Sequence, residues 1–570
     1  MKRDFAANAF KTFFLWGVLS ALGSACATFT DAALIGNIIG ENGLAAANIA
    51  TPVFMIFAFF GVTMGVGANV AAGNALGRSD KAAANNIFGQ LLSVGLIVSG
   101  VLIAVGLLLR GDILRLFGAN SQTQLLADKY AFWVFVFAGA FIFYHILSFS
   151  VRIDGDPKCA AVSAGVLITL NIVLDLVFMC VLGSGIVGAS LSLCIATLCA
   201  VAVLLTHFKK RSSSLKLLIR KPKMSTLLSF FKNGFAVGSE FLFSAIVMSA
   251  FNKLLSFGAA GAFNVAVFSV IYTASTFSKV PSDSASAALN SVVTILSGEK
   301  DKSGIMSVLK SAVKSVCIIG GIVTVLYILL SQGIVRFFGI SESQIKTAAL
   351  SFAVYSLCIV LNGINTTIIS FWQSIGRAKA AAMLSVARNL ALILILGAVL
   401  IPFFGTLGLS IAFLSCEALC FAAALLVGKL KSSKDIIEKQ CSSVERIFEN
   451  AYTIDRNCIE TIENDLHSLS ESWQIEPKRS FFIELITEEL IANIIKFAVK
   501  DQSGKYHISV RLMEDKDDFI LRIRDDVADY NPFESNGDVI DNAVLSMIKK
   551  KTKRCDYQRK LIFNYLYLVI

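Results

Sequence analysis

The sequence predicts an all-α polytopic membrane protein, with twelve transmembrane helices in two parallel-repeat six-helix bundles. A C-terminal cytoplasmic α/β two-layer sandwich follows. Three observations carry this. Of 570 residues, 55% are hydrophobic, 16% are charged and 44 are Phe, whereas a soluble domain carries about a quarter charged residues. Residues 1–430 hold 30 Lys and Arg against 15 Asp and Glu, while residues 431–570 hold 21 against 25. Short motifs of the first apolar half also return in the second at a fixed offset. A secreted, fibrous, disordered or nucleic-acid-binding chain is excluded, because the basic excess sits among apolar segments. The twelve cysteines form no CxxC pair and no metal spacing with the four histidines. Disulfides and zinc are therefore not implied.

A helix crosses a bilayer with about 20 mostly apolar residues. Twelve such segments fit, at 10–38, 45–73, 85–109, 123–149, 158–181, 186–207, 228–256, 262–296, 305–330, 345–373, 380–401 and 406–428. The start, Met1-Lys2-Arg3 and an apolar run, imitates a signal peptide. The run continues past Ala25 into a second span, so an uncleaved first helix is expected. Lys and Arg set the orientation. Even-numbered connections carry Arg78/Lys81, Arg152/Lys158, Lys300/Lys302 and Arg377/Lys379, and the middle one carries seven basic residues between Lys209 and Lys223. Both termini are thus expected in the cytoplasm. The basic middle loop is a topology determinant that could also meet anionic lipid headgroups.

The halves repeat. Ile113-Leu114-Arg115-Leu116-Phe117-Gly118 matches Ile334-Val335-Arg336-Phe337-Phe338-Gly339 at an offset of 221, as Gly155 and Lys158 match Gly376 and Lys379. This divides the chain into a first bundle (1–207), a basic linker (208–227), a second bundle (228–430) and a tail domain (431–570). Parallel repeats are one architecture of secondary transporters.

Ionisable groups within a span are functional candidates, since burying each costs several kcal/mol. Asp31 lies 20 residues beyond Lys11 and Asp175 lies 17 beyond Lys158. At 1.5 Å per residue, both sit ~25–30 Å from the cytoplasmic face. Asn171 is one turn below Asp175 on the same helix face. Glu240, Lys253, Arg388 and Glu417 in the second bundle lack a polar partner at helical spacing, and Lys253 and Arg388 are placed to snorkel. His145 reads as a hydrogen-bonded packing residue. Pro52, Pro281 and Pro402 should kink their helices.

These residues carry a resemblance. The stretch from Thr30-Asp31 to Asn37 and Gly43-Leu44-Ala45-Ala46-Ala47 opens an ordered set of motifs. Gly65-Val66-Gly67-Ala68-Asn69, Gly77-Arg78-Ser79-Asp80, Gly155-Asp156-Pro157-Lys158, Asn171-Ile172-Val173-Leu174-Asp175 and Gly185-Ile186-Val187-Gly188-Ala189 continue it. Over residues 10–428 the set resembles the multidrug and toxic compound extrusion (MATE) family. The resemblance implies a two-lobed antiporter that exports small organic, often cationic, compounds against an inward H⁺ or Na⁺ gradient, with no cofactor. It places Asp31, Asn171 and Asp175 in the ion-coupling cluster; the second-lobe acid of some members is not matched in register, and Glu240 is the candidate on its helix.

From Lys431 the pattern changes. Helical periodicity runs over 455–472 and from Pro477 to Lys500. Lys505–Glu514 and Phe519–Asp526 alternate as paired strands, and Phe563–Ile570 closes the sheet. Glu489 and Asn493 share a helix face, a pairing that suits Mg²⁺-nucleotide chemistry. Arg522-Ile523-Arg524-Asp525-Asp526 ends a strand with acceptors for an adenine amino group. In order, these motifs resemble the histidine-kinase-like ATPase fold of the anti-sigma-factor kinase branch. That resemblance implies Glu489 as catalytic base, Asn493 as Mg²⁺ ligand, Asp525 on ATP and an anti-sigma-type protein partner. Val527 stands where that family has glycine and Phe497 where it has His. The glycines that cradle phosphate are absent around Asp541–Ile548, and Lys549–Arg554 reads as a solvated helix end.

The leading reading is an efflux antiporter of the bacterial inner membrane with a cytoplasmic regulatory domain. The alternatives are a membrane sensor signalling through the tail and a lipid-linked substrate flippase.

Overall fold

In a bilayer every backbone N–H and C=O must be satisfied within its own segment, so apolar runs fold as helices. The structure is a computed structural model of the whole chain. It describes residues 4–39, 41–117, 119, 123–210, 213–255, 261–338, 340, 342–430, 446–455, 457–499, 506–515, 518–533 and 539–570. The side chains of 27–29, 31–33, 36–37, 41–45, 48, 261–262, 428–430 and 539–544 are outside that description. The first lobe comprises α1 (Phe5–Ile39), α2 (Glu41–Gly77), α3 (Lys81–Leu108), α4 (Arg110–Leu116), α5 (Gln124–Val136), α6 (Ala138–Ile153), α7 (Pro157–Asp175) and α8 (Gly185–His207). The second comprises α9 (Met224–Leu255), α10 (Gly261–Ser278), α11 (Val280–Gly298), α12 (Lys302–Phe337), α13 (Ile345–Ser356), α14 (Cys358–Ser374), α15 (Ala378–Val386) and α16 (Leu392–Leu430).

Among the described residues, nine helices are long and apolar enough to cross a membrane, and the α5–α6 pair, bent by 51°, adds a tenth. Two further expected crossings are interrupted. The span expected at 262–296 breaks at Lys279 into α10 and α11, because Pro281 has no N–H to donate and takes the first turn of α11 instead. The spans expected at 380–401 and 406–428 form one continuous stretch of α15, a π-helical turn at Ala387–Ala391 and α16, which reverses at Gly405 with φ 56°. The basic linker is held against the first lobe. Lys216 N donates to Asn85 Oδ1 at 2.6 Å, Arg220 N to Gly89 O at 3.3 Å and Lys223 N to Gln90 Oε1 at 3.1 Å, all on α3.

The repeat is visible in two turns 221 residues apart. Ser79 (φ 60°) joins α2 to α3, and Lys300 (φ 56°) joins α11 to α12. The next residue caps the following helix each time: Asp80 accepts from Ala83 N at 2.9 Å and Asp301 from Gly304 N at 2.8 Å. Just before these turns the lobes touch through backbone. A Cβ on Gly77 would lie 2.3 Å from Ile295 O, and one on Gly298 would lie 2.3 Å from Asn74 O. Only glycine admits so close an approach, and it shuts this end of the seam.

The tail contains β1 (Arg446–Thr453), α17 (Cys458–Trp473), α18 (Pro477–Ala498), β2 (His507–Asp515), β3 (Asp518–Asp525), α19 (Val539–Lys551), β4 (Arg554–Lys560) and β5 (Phe563–Val569). Among the described residues, five strands are antiparallel neighbours in the order β1-β2-β3-β5-β4. Side chains alternate across the strands. Val510, Leu512, Leu521, Ile523 and Leu566 share a core with Ile483, Leu490 and Ile494 of α18. The opposite face carries Arg511, Arg522, Arg524 and Tyr565, with Tyr565 belonging to the membrane-domain core. The basic run 549–554 is a helix end only to Lys551, because Arg554 opens β4.

Candidate functional site

A cavity of about 440 Å³ lies between the lobes. The first lobe lines it with Ser20 and Ser24 of α1 and with Tyr144, His145, Ser148 and Arg152 of α6. The second contributes Glu240 of α9, Tyr272 of α10, Lys279 between α10 and α11, Asp283 and Asn290 of α11, and Arg388 and Asn389. The break at Pro281 sets this chemistry, because it turns Lys279 and Asp283 into the cavity wall. Lys279 Nζ donates to Glu240 Oε1 at 3.1 Å. Asp283 is exposed to the cavity. The amide of Asn290 is buried with neither atom hydrogen bonded.

A smaller cavity of about 100 Å³ adjoins it and shares Glu240, Lys279, Arg388 and Asn389. On its wall Arg388 Nε donates to both oxygens of Glu417 at 2.9 and 3.0 Å. Asn362 and Asn365 donate to the same carboxylate at 2.9 and 2.7 Å, and Arg388 Nη1 donates to Thr366 Oγ1 at 3.0 Å. The pair is buried, at 3% and 7% exposure, so Arg388 does not snorkel as the sequence reading expected. Its partner was missed because it lies on another helix, 29 residues away. Arg388 projects from a π-helical turn, Ala387–Ala391, a departure from α geometry that gathers at functional sites.

In the first lobe, Asn171 Nδ2 donates to Asp175 Oδ2 at 2.6 Å, with both residues buried. A π-helical turn, Leu176–Val181, follows directly. Asp31 lies on α1, which packs against α7, but its side chain is outside the described residues. The structure thus joins Asn171 to Asp175 and Glu240 to Lys279. It adds Lys279, Asp283, Asn290 and Arg152, which sequence reasoning had not selected. Arg152 read as a loop charge, yet it stands in the cavity wall, with its guanidinium 5.7 Å from the Phe149 ring. His145, read as a packing residue, lines the same wall.

In the tail, Asn493 is buried on α18 and Glu489 is half-buried one turn before it. Asp525 ends β3, and its Oδ1 accepts from Asn564 Nδ2 at 2.7 Å and Val527 N at 3.2 Å. Burial lifts this carboxyl to about 7, and the Asp526 charge adds to the rise. Phe497 of α18 stacks on Tyr530 at 5.8 Å, so the two motif segments meet. Asp525 at the end of β3 and Asn493 on α18 are both buried, at 1% and 6% exposure. The side chains of 541–544 and all of 534–538 are outside the described residues.

Comparison with known proteins covers the two lobes. The MatE family matches residues 18–177 and 233–399. The multidrug export protein MepA of Staphylococcus aureus is 24% identical over 399 residues, covering 69% of this chain and 87% of its own. The protein of the same description from Staphylococcus saprophyticus is 22% identical over 411 residues, covering 71% and 89%. Two solved structures share the fold. One, an outward-facing multidrug resistance MATE family transporter of the MOP superfamily, superposes with a TM-score of 0.71 at 21% identity, covering 77% of this chain and 98% of that one. The other, a MOP superfamily transporter from Pyrococcus furiosus, gives 0.70 at 22% identity, covering 77% and 97%. With its family match on both lobes and more than half of its length, the chain belongs to the MatE family.

Proposed function

We propose that the chain is a secondary-active exporter of small organic, mainly cationic compounds, driven by an inward H⁺ or Na⁺ gradient. The observation that carries this reading is the cavity between two duplicated lobes, walled by Glu240, Lys279 and Asp283. A carboxylate held inside a membrane domain is costly unless it is paired or used. Asp283 faces open cavity space, where an organic cation can meet it. Asn171 and Asp175 form the ion-coupling pair of the first lobe, completed by Asp31 of α1. Uptake of the ion and of the substrate are linked by a coupling free energy, so each changes the affinity for the other. The basic linker and even-numbered loops put the tail in the cytoplasm, with the linker against lipid headgroups. The tail regulates the carrier. A purine nucleotide would be held there by Asp525 at its amino group and by Asn493 through Mg²⁺.

Uptake of a cationic dye into proteoliposomes, under H⁺ and Na⁺ gradients imposed separately, tests the exporter reading. One gradient should drive the flux, and Asp31→Asn and Asp175→Asn should each cut it at least tenfold with insertion unchanged. Flux indifferent to both gradients would overturn the reading.

A further inference from the structure

The bundle-facing side of the tail sheet meets both members of the duplicated turn pair. At the second-lobe turn, Arg522 Nη1 donates to Glu299 O at 3.0 Å and Arg524 Nη2 to Glu299 Oε2 at 3.1 Å. Arg511 Nη2 donates to Lys300 O at 3.1 Å, and Arg511 Nη1 stands 3.7 Å from Asp301 Oδ2. At the first-lobe turn, Ser79 O accepts from Arg554 Nη2 and from Gln558 Nε2, the latter at 3.2 Å. Ser79 Oγ accepts from Lys560 Nζ at 3.1 Å, and Lys81 Nζ donates to Tyr557 O at 2.8 Å. β2 and β3 thus hold one lobe and β4 the other. β5 lies between them, with Phe563 edge-on to Phe5 of α1 at 5.1 Å. Glu299, Asp301, Ser79, Arg511 and Lys560 are all below 5% exposure. So many buried, directional contacts make a built interface rather than a chance touch of two surfaces.

The geometry points to a clamp: the open face of the C-terminal sheet is a docking surface for these two turns, and by holding both it locks the lobes together at this end. Neighbouring strands are pinned about 4.8 Å apart by their hydrogen bonds, so the sheet cannot stretch. It fits both turns only while Gly77 and Gly298 hold the seam shut. The carrier can open toward the tail only after the sheet releases one turn. This rests on the transport reading for its purpose, though the contacts themselves do not depend on it.

Two arms of one distance experiment test the clamp in the full chain in nanodiscs, with spin labels at Ala82, Lys310 and Lys553, all exposed. In the first arm, Arg511→Gln/Arg524→Gln should add a longer Ala82–Lys310 population and raise dye flux several-fold, while β3 and β5 stay protected from hydrogen exchange. Wild-type distances and flux in that variant would overturn the clamp. In the second arm, the sheet residues are unaltered and the carrier is driven by its gradient. Each lengthening of Ala82–Lys310 should coincide with loss of either the Ala82–Lys553 or the Lys310–Lys553 distance. Lengthening with both of those unchanged would also overturn it. If no variant moves dye yet the distances respond as described, the transport reading fails and the clamp stands.

Discussion

At the scale of single residues, the two strongest buried-charge arrangements make opposite predictions. Glu417 neutralises Arg388 where both are nearly inaccessible and satisfied by Asn362, Asn365 and Thr366. Removing one partner of such a pair costs about 3–5 kcal/mol, whereas replacing both with apolar residues is close to neutral. Glu417→Leu should therefore lower the melting temperature sharply in detergent, and Arg388→Met/Glu417→Leu should recover most of the loss. Asp525 behaves differently. Its folded carboxyl keeps a proton up to about pH 7 because it is buried, while the unfolded chain ionises near 3.8. Tail stability should therefore fall by a few kcal/mol, on the order of magnitude the shift sets, as pH rises from about 4 to about 7, and then level. Asp525→Asn keeps the acceptor for Asn564 and Val527 and should flatten the profile, read as the urea dependence of hydrogen exchange in β3 and β5. Asn171 and Asp175 were legible in the sequence because one turn of helix separates them. Arg388 and Glu417 were not, because their contact is made by the reversal at Gly405, which no periodicity encodes.

At the scale of elements, the lobes meet along α2 and α9, where a Cβ on Gly67 would lie 1.9 Å from Phe230 O. That neighbour is backbone and cannot rotate away. Gly67→Ala should force the two helices apart at a cost of about 1–3 kcal/mol, seen as a lower melting temperature and slower dye flux at unchanged expression. Helix existence was legible because long apolar stretches leave no alternative, and Pro281 marked the place where one would fail. That the failure exposes Lys279 and Asp283 to a cavity was not legible, since it depends on where α9 and α6 stand. The tail strands divide the same way. Central β2 and β3 alternate and β5 is apolar or aromatic almost throughout, whereas edge strands β1 and β4 carry the charged, mixed pattern by which edges resist pairing.

For the whole molecule, the composition break at Leu430 separated membrane from solvent, but it gave no hint that the two parts touch. The arginines of β2 and β3 look like ordinary surface charges until their partners, Glu299 and Asp301, arrive from more than two hundred residues away. Lys560 gives that contact a pH dependence. Burial pushes its ammonium down to about 7, aided by Arg522, Arg524 and Lys81 and opposed by Glu299. It stands against Ser79 Oγ and 5.3 Å from the Tyr565 ring. A lysine with a lowered value in the docked form opposes docking fully below about pH 7, and the opposition is relieved as pH rises toward 10.5. The docked-to-released ratio should thus grow up to tenfold per pH unit between about 7 and 10.5, and Lys560→Met should remove that slope in the label distances.

Only fifteen residues, 431–445, separate the end of α16 from the start of β1. They span at most ~55 Å. Covalent attachment within that reach gives the sheet an effective concentration on the order of millimolar at its own turns. A separate copy of the tail would have to approach that concentration to compete, so the proposed clamp would act within one chain and not between neighbours.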